Sequence, residues 1–85
     1  MNNIRQIVEN IIDDSKVEGL IFIYDEYCIR LIHTITLDSY EYKRQKALSK
    51  FDYFKDSDNK WKKLKKDVED FVKETKIINE RLNDD

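Results

Sequence analysis

Residues 19–37 read GLIFIYDEYCIRLIHTITL, and how this stretch folds decides the architecture of the chain. As a helix starting at Ser15 it would carry a capping box, Ser15 with Glu18, and a stripe of Leu20, Tyr24, Cys28, Leu31 and Ile35. As strands it offers isoleucine, threonine and aromatic residues, the types a pleated surface favours. The period separates the two. From Tyr27 the odd positions read Tyr27, Ile29, Leu31, His33, Ile35 and Leu37, and the even ones Cys28, Arg30, Ile32, Thr34 and Thr36. That is mostly an apolar and polar alternation, so the stretch reads as strands over 19–24 and 27–36.

A two-residue turn at Asp25 and Glu26 would close these strands into a hairpin pairing Tyr24 with Tyr27, Phe22 with Ile29 and Leu20 with Leu31. All six then share one face, while Ile23 with Cys28 and Ile21 with Arg30 share the other. Asp-Glu lacks the ease at positive φ that makes Asn-Gly the preferred two-residue turn, so a four-residue loop is the alternative closure.

The flanks read as helices. Ile4, Ile7, Val8, Ile11 and Ile12 recur at helical spacing in a helix over 3–14, with Asn2 or Asn3 as its cap. Asp38 with Glu41 forms a second capping box, and Tyr40, Ala47, Leu48, Phe51 and Phe54 mark one face of a helix over 38–55. Beyond the polar connection Asp56, Ser57, Asp58 and Asn59, a third helix over 58–82 carries a seam of Trp61, Leu64, Val68, Phe71, Thr75, Ile78 and Leu82. The seam reads first as a core-facing side and second as a self-association surface. The expectation is one domain over 1–85 in the α+β class: an N-terminal helix, a two-stranded antiparallel hairpin and two C-terminal helices. An all-α four-helix bundle is the alternative.

Composition narrows function by exclusion. Eighty-five residues, 40% of them hydrophobic and 40% charged, provide for one modest core. Asp25, Glu26, Arg30 and His33 interrupt the most apolar stretch, so no run approaches the ~20 residues a membrane span needs. Glu9, Asp13 and Asp14 argue against a secretory signal, and the single cysteine, Cys28, fits a reducing compartment; the expected location is cytoplasmic. Cys28 and the only histidine, His33, differ by an odd number, so on one strand they point to opposite faces and make no catalytic dyad. In the hairpin register His33 sits beside Glu18. The segment from Asp56 begins like a calcium loop, but Lys60 and Trp61 occupy its fifth and sixth positions, where an oxygen ligand and a glycine belong. With Gly19 as the only glycine there is no phosphate-cradling loop. These absences argue against an enzyme, a metal site or a cofactor.

The charge is unevenly spread. Residues 1–42 hold three basic and eight acidic side chains, 43–66 ten and three, and 67–85 three and seven, so a net −2 conceals a basic centre between acidic ends. If the second and third helices fold back on each other, Lys43, Lys46, Lys50, Lys60, Lys62, Lys63 and Lys66 share one pole, the expected partner-binding surface. Lysines at a helix start oppose the backbone dipole unless something negative meets them. The functional expectation is a small non-enzymatic module that binds a macromolecular partner, a protein before a nucleic acid, as adaptor, regulator or inhibitor. The alternative is a nucleic-acid-binding protein that contacts phosphates through the same lysines. Abundant Ile, Lys, Asn and Asp suggest an AT-rich source, and small AT-rich chains with no catalytic set are often interaction modules of mobile elements, which is the expected origin. A homodimer through the hairpin edge or the C-terminal helix is the expected self-association, because a lone hairpin leaves strand edges uncovered.

Overall fold

The computed structural model describes residues 4–53 and 61–83. Helix α1, Ile4–Ser15, is followed by three strands, β1 (Leu20–Tyr24), β2 (Cys28–Leu37) and β3 (Tyr40–Ser49), and by a long helix α2, Lys62–Asn83. The strands form an antiparallel sheet in the order β1-β2-β3. The class is therefore α+β, with a three-stranded sheet in place of the expected hairpin and one C-terminal helix in place of two.

The alternation read from the sequence holds, with its register moved. Tyr24 pairs with Ile29, Phe22 with Leu31 and Leu20 with His33. This is a shift of two residues from the expected pairing, and an even shift leaves every side chain on its expected face. The shift follows from the turn. Neither Asp25 nor Glu26 adopts positive φ, as the favoured two-residue turn would require. Instead the Asp25 N–H donates to the Cys28 carbonyl at 3.0 Å, and the reversal falls on Glu26 and Tyr27.

The helix expected over 38–55 is the main correction. Asp38 is not a helix cap; it lies at φ 54° in a two-residue turn with Ser39, and Leu37 pairs with Tyr40 across it. β3 then runs beside β2 along its whole length, from Leu37↔Tyr40 to Cys28↔Ser49. Lys, Gln, Ala and Leu favour a helix here, but five-residue β1 covers only part of one edge of β2. An unpaired second edge on this central strand would leave buried N–H and C=O groups unsatisfied, and β3 satisfies them. The face expected for that helix is dispersed: Leu48 is buried, whereas Tyr40, Ala47 and Phe51 are exposed. Residues 50–53 continue as a 3₁₀ turn; Phe54 and Lys55 lie outside the described residues, as do Asn2, Asn3 and the polar connection 56–59.

Both helices pack on one face of the sheet. α1 contributes Ile4, Val8 and Ile12, the strands Leu20, Ile29, Leu31 and Leu48, and α2 Leu64, Val68, Phe71 and Val72, with Tyr53 among them. Each fully buried aliphatic side chain of this set contributes roughly 1.5–3 kcal/mol. The seam of α2 is thereby spent on the core of its own chain, since Leu64, Val68 and Thr75 are fully buried. Trp61, expected inside this helix, stands before it at φ 62°, and its carbonyl accepts the first helical bond from the Lys65 N–H at 2.9 Å. The opposite face of the sheet bears Ile21 and Ile23, both exposed.

Candidate interaction surface

The end of the molecule around the β1–β2 turn is held by short-range chemistry. The Asp25 carboxylate accepts the Tyr27 N–H at 3.0 Å and lies 3.6 Å from the Cys28 thiol. The Tyr27 bond, ahead of the thiol contact and the nearby charge of Arg30, holds the Asp25 carboxyl below its ordinary range. The Lys50 N–H donates to the Tyr27 carbonyl at 3.0 Å and so ties residues 50–53 to the turn.

Aromatic rings gather on this frame. Tyr27 and Phe51 stack with centroids 6.1 Å apart and planes inclined by 19°. The Lys50 ammonium stands 3.6 Å from the Tyr24 ring centroid, and Lys63 stands 5.7 Å from that of Tyr53. Tyr53 is itself buried and donates its hydroxyl to Asp67 at 2.6 Å, which fixes the start of α2 against this end. The outer rings remain in solvent: Tyr27 is 59% and Phe51 60% exposed.

The seven lysines singled out by charge divide. Lys50 and Lys63 lie at this end against tyrosine rings, and Lys62 and Lys66 are exposed on the first turns of α2. Lys43 and Lys46 do not join them on one helical face, because on a strand their odd and even positions point to opposite sides of the sheet. Lys43 lies 3.7 Å from Glu41. Lys60 falls outside the described residues. Tyr24, Tyr27 and Phe51 were not among the expected contacts; the helical reading of 38–55 assigned Phe51 to a core face and left no reason to join it to Tyr27.

His33 is also displaced from its expected place. It pairs with Leu20 rather than Glu18, and it is fully buried. Its Nδ1 lies 3.2 Å from Arg44 Nη1 and its Nε2 3.0 Å from Asn79 Oδ1. Arginine can only donate, so Nδ1 accepts and Nε2 carries the proton it gives to Asn79. Arg44 also bonds Thr75 Oγ1 at 3.3 Å and Glu74 at 3.2 Å, with its guanidinium over the Phe71 ring. Burial above all, and the Arg44 charge after it, lower the His33 pKa, against the Asn79 bond, which raises it. Cys28 stands on the other face of the sheet from this imidazole.

At the opposite end a cleft of about 660 Å³ opens between residues 15–19, the end of β2 and the last turns of α2. Its charged lining is mixed, Lys16 and Lys76 with Glu18 and Glu80, so it favours neither sign of ligand. Among the described residues no three His, Cys, Asp or Glu side chains converge as metal ligands, and no helix is long and apolar enough to cross a membrane. Compared with known proteins, the chain matches no family model, no curated protein and no solved structure.

Proposed function

We propose that this protein is a small non-enzymatic interaction module, an adaptor, regulator or inhibitor, whose partner is another protein docking on the surface formed by Tyr24, Tyr27, Phe51 and Lys50. The observation that carries the reading is the exposed Tyr27–Phe51 stack. Large aromatic rings held rigid in solvent lose little entropy on docking, and residues of this kind are enriched at the centres of protein interfaces. Lys50, Lys62, Lys63 and Lys66 would form a positive rim around it and steer an acidic partner surface.

The same rings and lysines suit a single-stranded nucleic acid, on whose bases aromatic side chains stack. The placement of charge favours protein. Asp25, Glu26 and Asp52 lie at or beside this turn and would repel phosphates. In addition Lys50 already occupies a face of the Tyr24 ring, and Tyr27 and Phe51 cover one another.

The test is affinity capture from the native host with the full chain and with a Tyr27→Ser, Phe51→Ser double variant as baits, paired with titration of mixed-sequence single-stranded DNA and RNA at several salt concentrations. A protein retained by the first bait and lost by the second supports docking at the stack. Equal capture by both, or no specific capture, removes this site. Nucleic-acid binding that weakens steeply with salt and disappears in Lys62→Glu, Lys63→Glu moves the assignment to the second reading.

A further inference from the structure

The longest run of unpaired backbone among the described residues is the outer edge of β3. Leu37 and Tyr40 flank the turn, and the ladder continues to the bond between Lys50 N–H and the Tyr27 carbonyl. Hydrogen-bonded pairs alternate along such a ladder, so the even residues of β3 turn their N–H and C=O groups toward β2. Glu41, Lys43, Gln45, Ala47 and Ser49 therefore direct theirs outward, with nothing of the described chain across from them. Tyr40 and Tyr42, beside this edge, are 71% and 56% exposed.

We propose that this edge pairs with the same edge of a second copy of the chain, antiparallel about a twofold axis through Tyr42, joining two sheets into one of six strands. Charge along the strand selects both the occupant and the register. An axis normal to the sheet keeps the helices of both copies on one side, so opposed residues have the same parity. A centre at residue 41 sets Glu41 against itself, and centres at 43, 44 and 46 do the same to Lys43, Arg44 and Lys46. A centre at 45 sets Arg44 against Lys46. Like charges directly opposite one another destabilise a strand pair. At Tyr42 alone within this span no like charges meet, and Glu41 faces Lys43 twice, with Tyr40 facing Arg44 on the other side of the sheet. A centre at Ala47 sets Arg44 against Lys50, at the end of the ladder, and brings no opposite charges together.

Lysines on an edge strand normally prevent indiscriminate pairing. Here they exclude the neighbouring registers and leave one. Within a single copy Glu41 and Lys43 already lie 3.7 Å apart, both more than half exposed, and pairing would extend them into an alternating array of four charges. β3 runs from the axis toward Ser49 and Phe51, so the two Tyr27–Phe51 surfaces end at opposite extremities of the dimer. Both stay open, and this inference stands or falls separately from the docking surface proposed above.

Sedimentation equilibrium of the full chain at micromolar concentration tests it. The expected mass is twice the 10.4 kDa of one chain. Lys43→Glu and Glu41→Lys should each weaken the dimer about tenfold, since each places like charges across the axis twice. The double exchange Glu41→Lys, Lys43→Glu should restore it. Circular dichroism controls the fold of each variant. A monomeric wild type overturns the proposal, as does a dimer indifferent to the single exchanges or one that the double exchange fails to restore.

Discussion

Arg44 Nη1 lies 3.2 Å from His33 Nδ1 and joins neighbouring strands to the helix above them through one guanidinium. The contact determines which imidazole nitrogen bears the proton, since a guanidinium N–H only donates and Nδ1 must therefore accept. It also places a permanent positive charge where a second proton on His33 would go.

Stability should therefore depend on pH through His33. Its pKa in the folded chain lies below the ordinary 6.5, so between the two values the unfolded chain binds the extra proton. This contribution is fully present above about pH 6.5 and is lost as pH falls through the folded value. Urea denaturation at about pH 7.5 and about pH 5 should show this loss, and His33→Gln should reduce it. An unchanged dependence in the variant would assign the titration to another group.

Arg44→Met should cost about 1–3 kcal/mol, because it leaves the buried His33 Nδ1 without its donor. Arg44→Lys should recover little, as one ammonium cannot serve His33, Thr75 and Glu74 together. Denaturant midpoints of the two variants decide this; full recovery by lysine would mean that charge alone matters.

Gly19→Ala is expected to destabilise by at least about 1–3 kcal/mol. Gly19 has φ 78°, and an added Cβ would stand 2.5 Å from the Thr34 carbonyl oxygen. The Gly19 carbonyl accepts the Thr34 N–H at 2.8 Å, so relief of the clash would pull the start of β1 from β2. A fall in melting temperature checks the direction, and no fall would show that the loop relaxes freely.

Leu64→Ala should cost about 2–5 kcal/mol, the usual result of emptying a fully buried leucine site. By contrast, Tyr27→Ser with Phe51→Ser should cost no more than about 1 kcal/mol, because both rings are mostly in solvent. Thermal unfolding of the two variants measures the difference. Comparable losses would make the aromatic stack part of the core and not a surface available to a partner.

Local pattern carried much of this fold. The spacing in α1 and in the seam of α2 identified the buried sides of both helices, and the alternation from Tyr27 to Leu37 placed Ile29, Leu31 and His33 on the covered face of the sheet. The segment 40–49 was misread because its composition favours a helix, and the need it answers belongs to a different segment: the second edge of β2. That error hid the Tyr27–Phe51 contact and gathered on one pole lysines that the structure divides among both faces of β3, the 3₁₀ turn and the start of α2.

What the chain determines by itself is which residues turn inward, since the periods of helix and strand are local steric properties written in the order of apolar and polar side chains. Which segments then lie side by side was decided only in three dimensions. Hydrogen-bond demand along β2 and the space above His33 brought Arg44, Thr75 and Asn79 together from distant positions, and no local spacing encodes such a meeting.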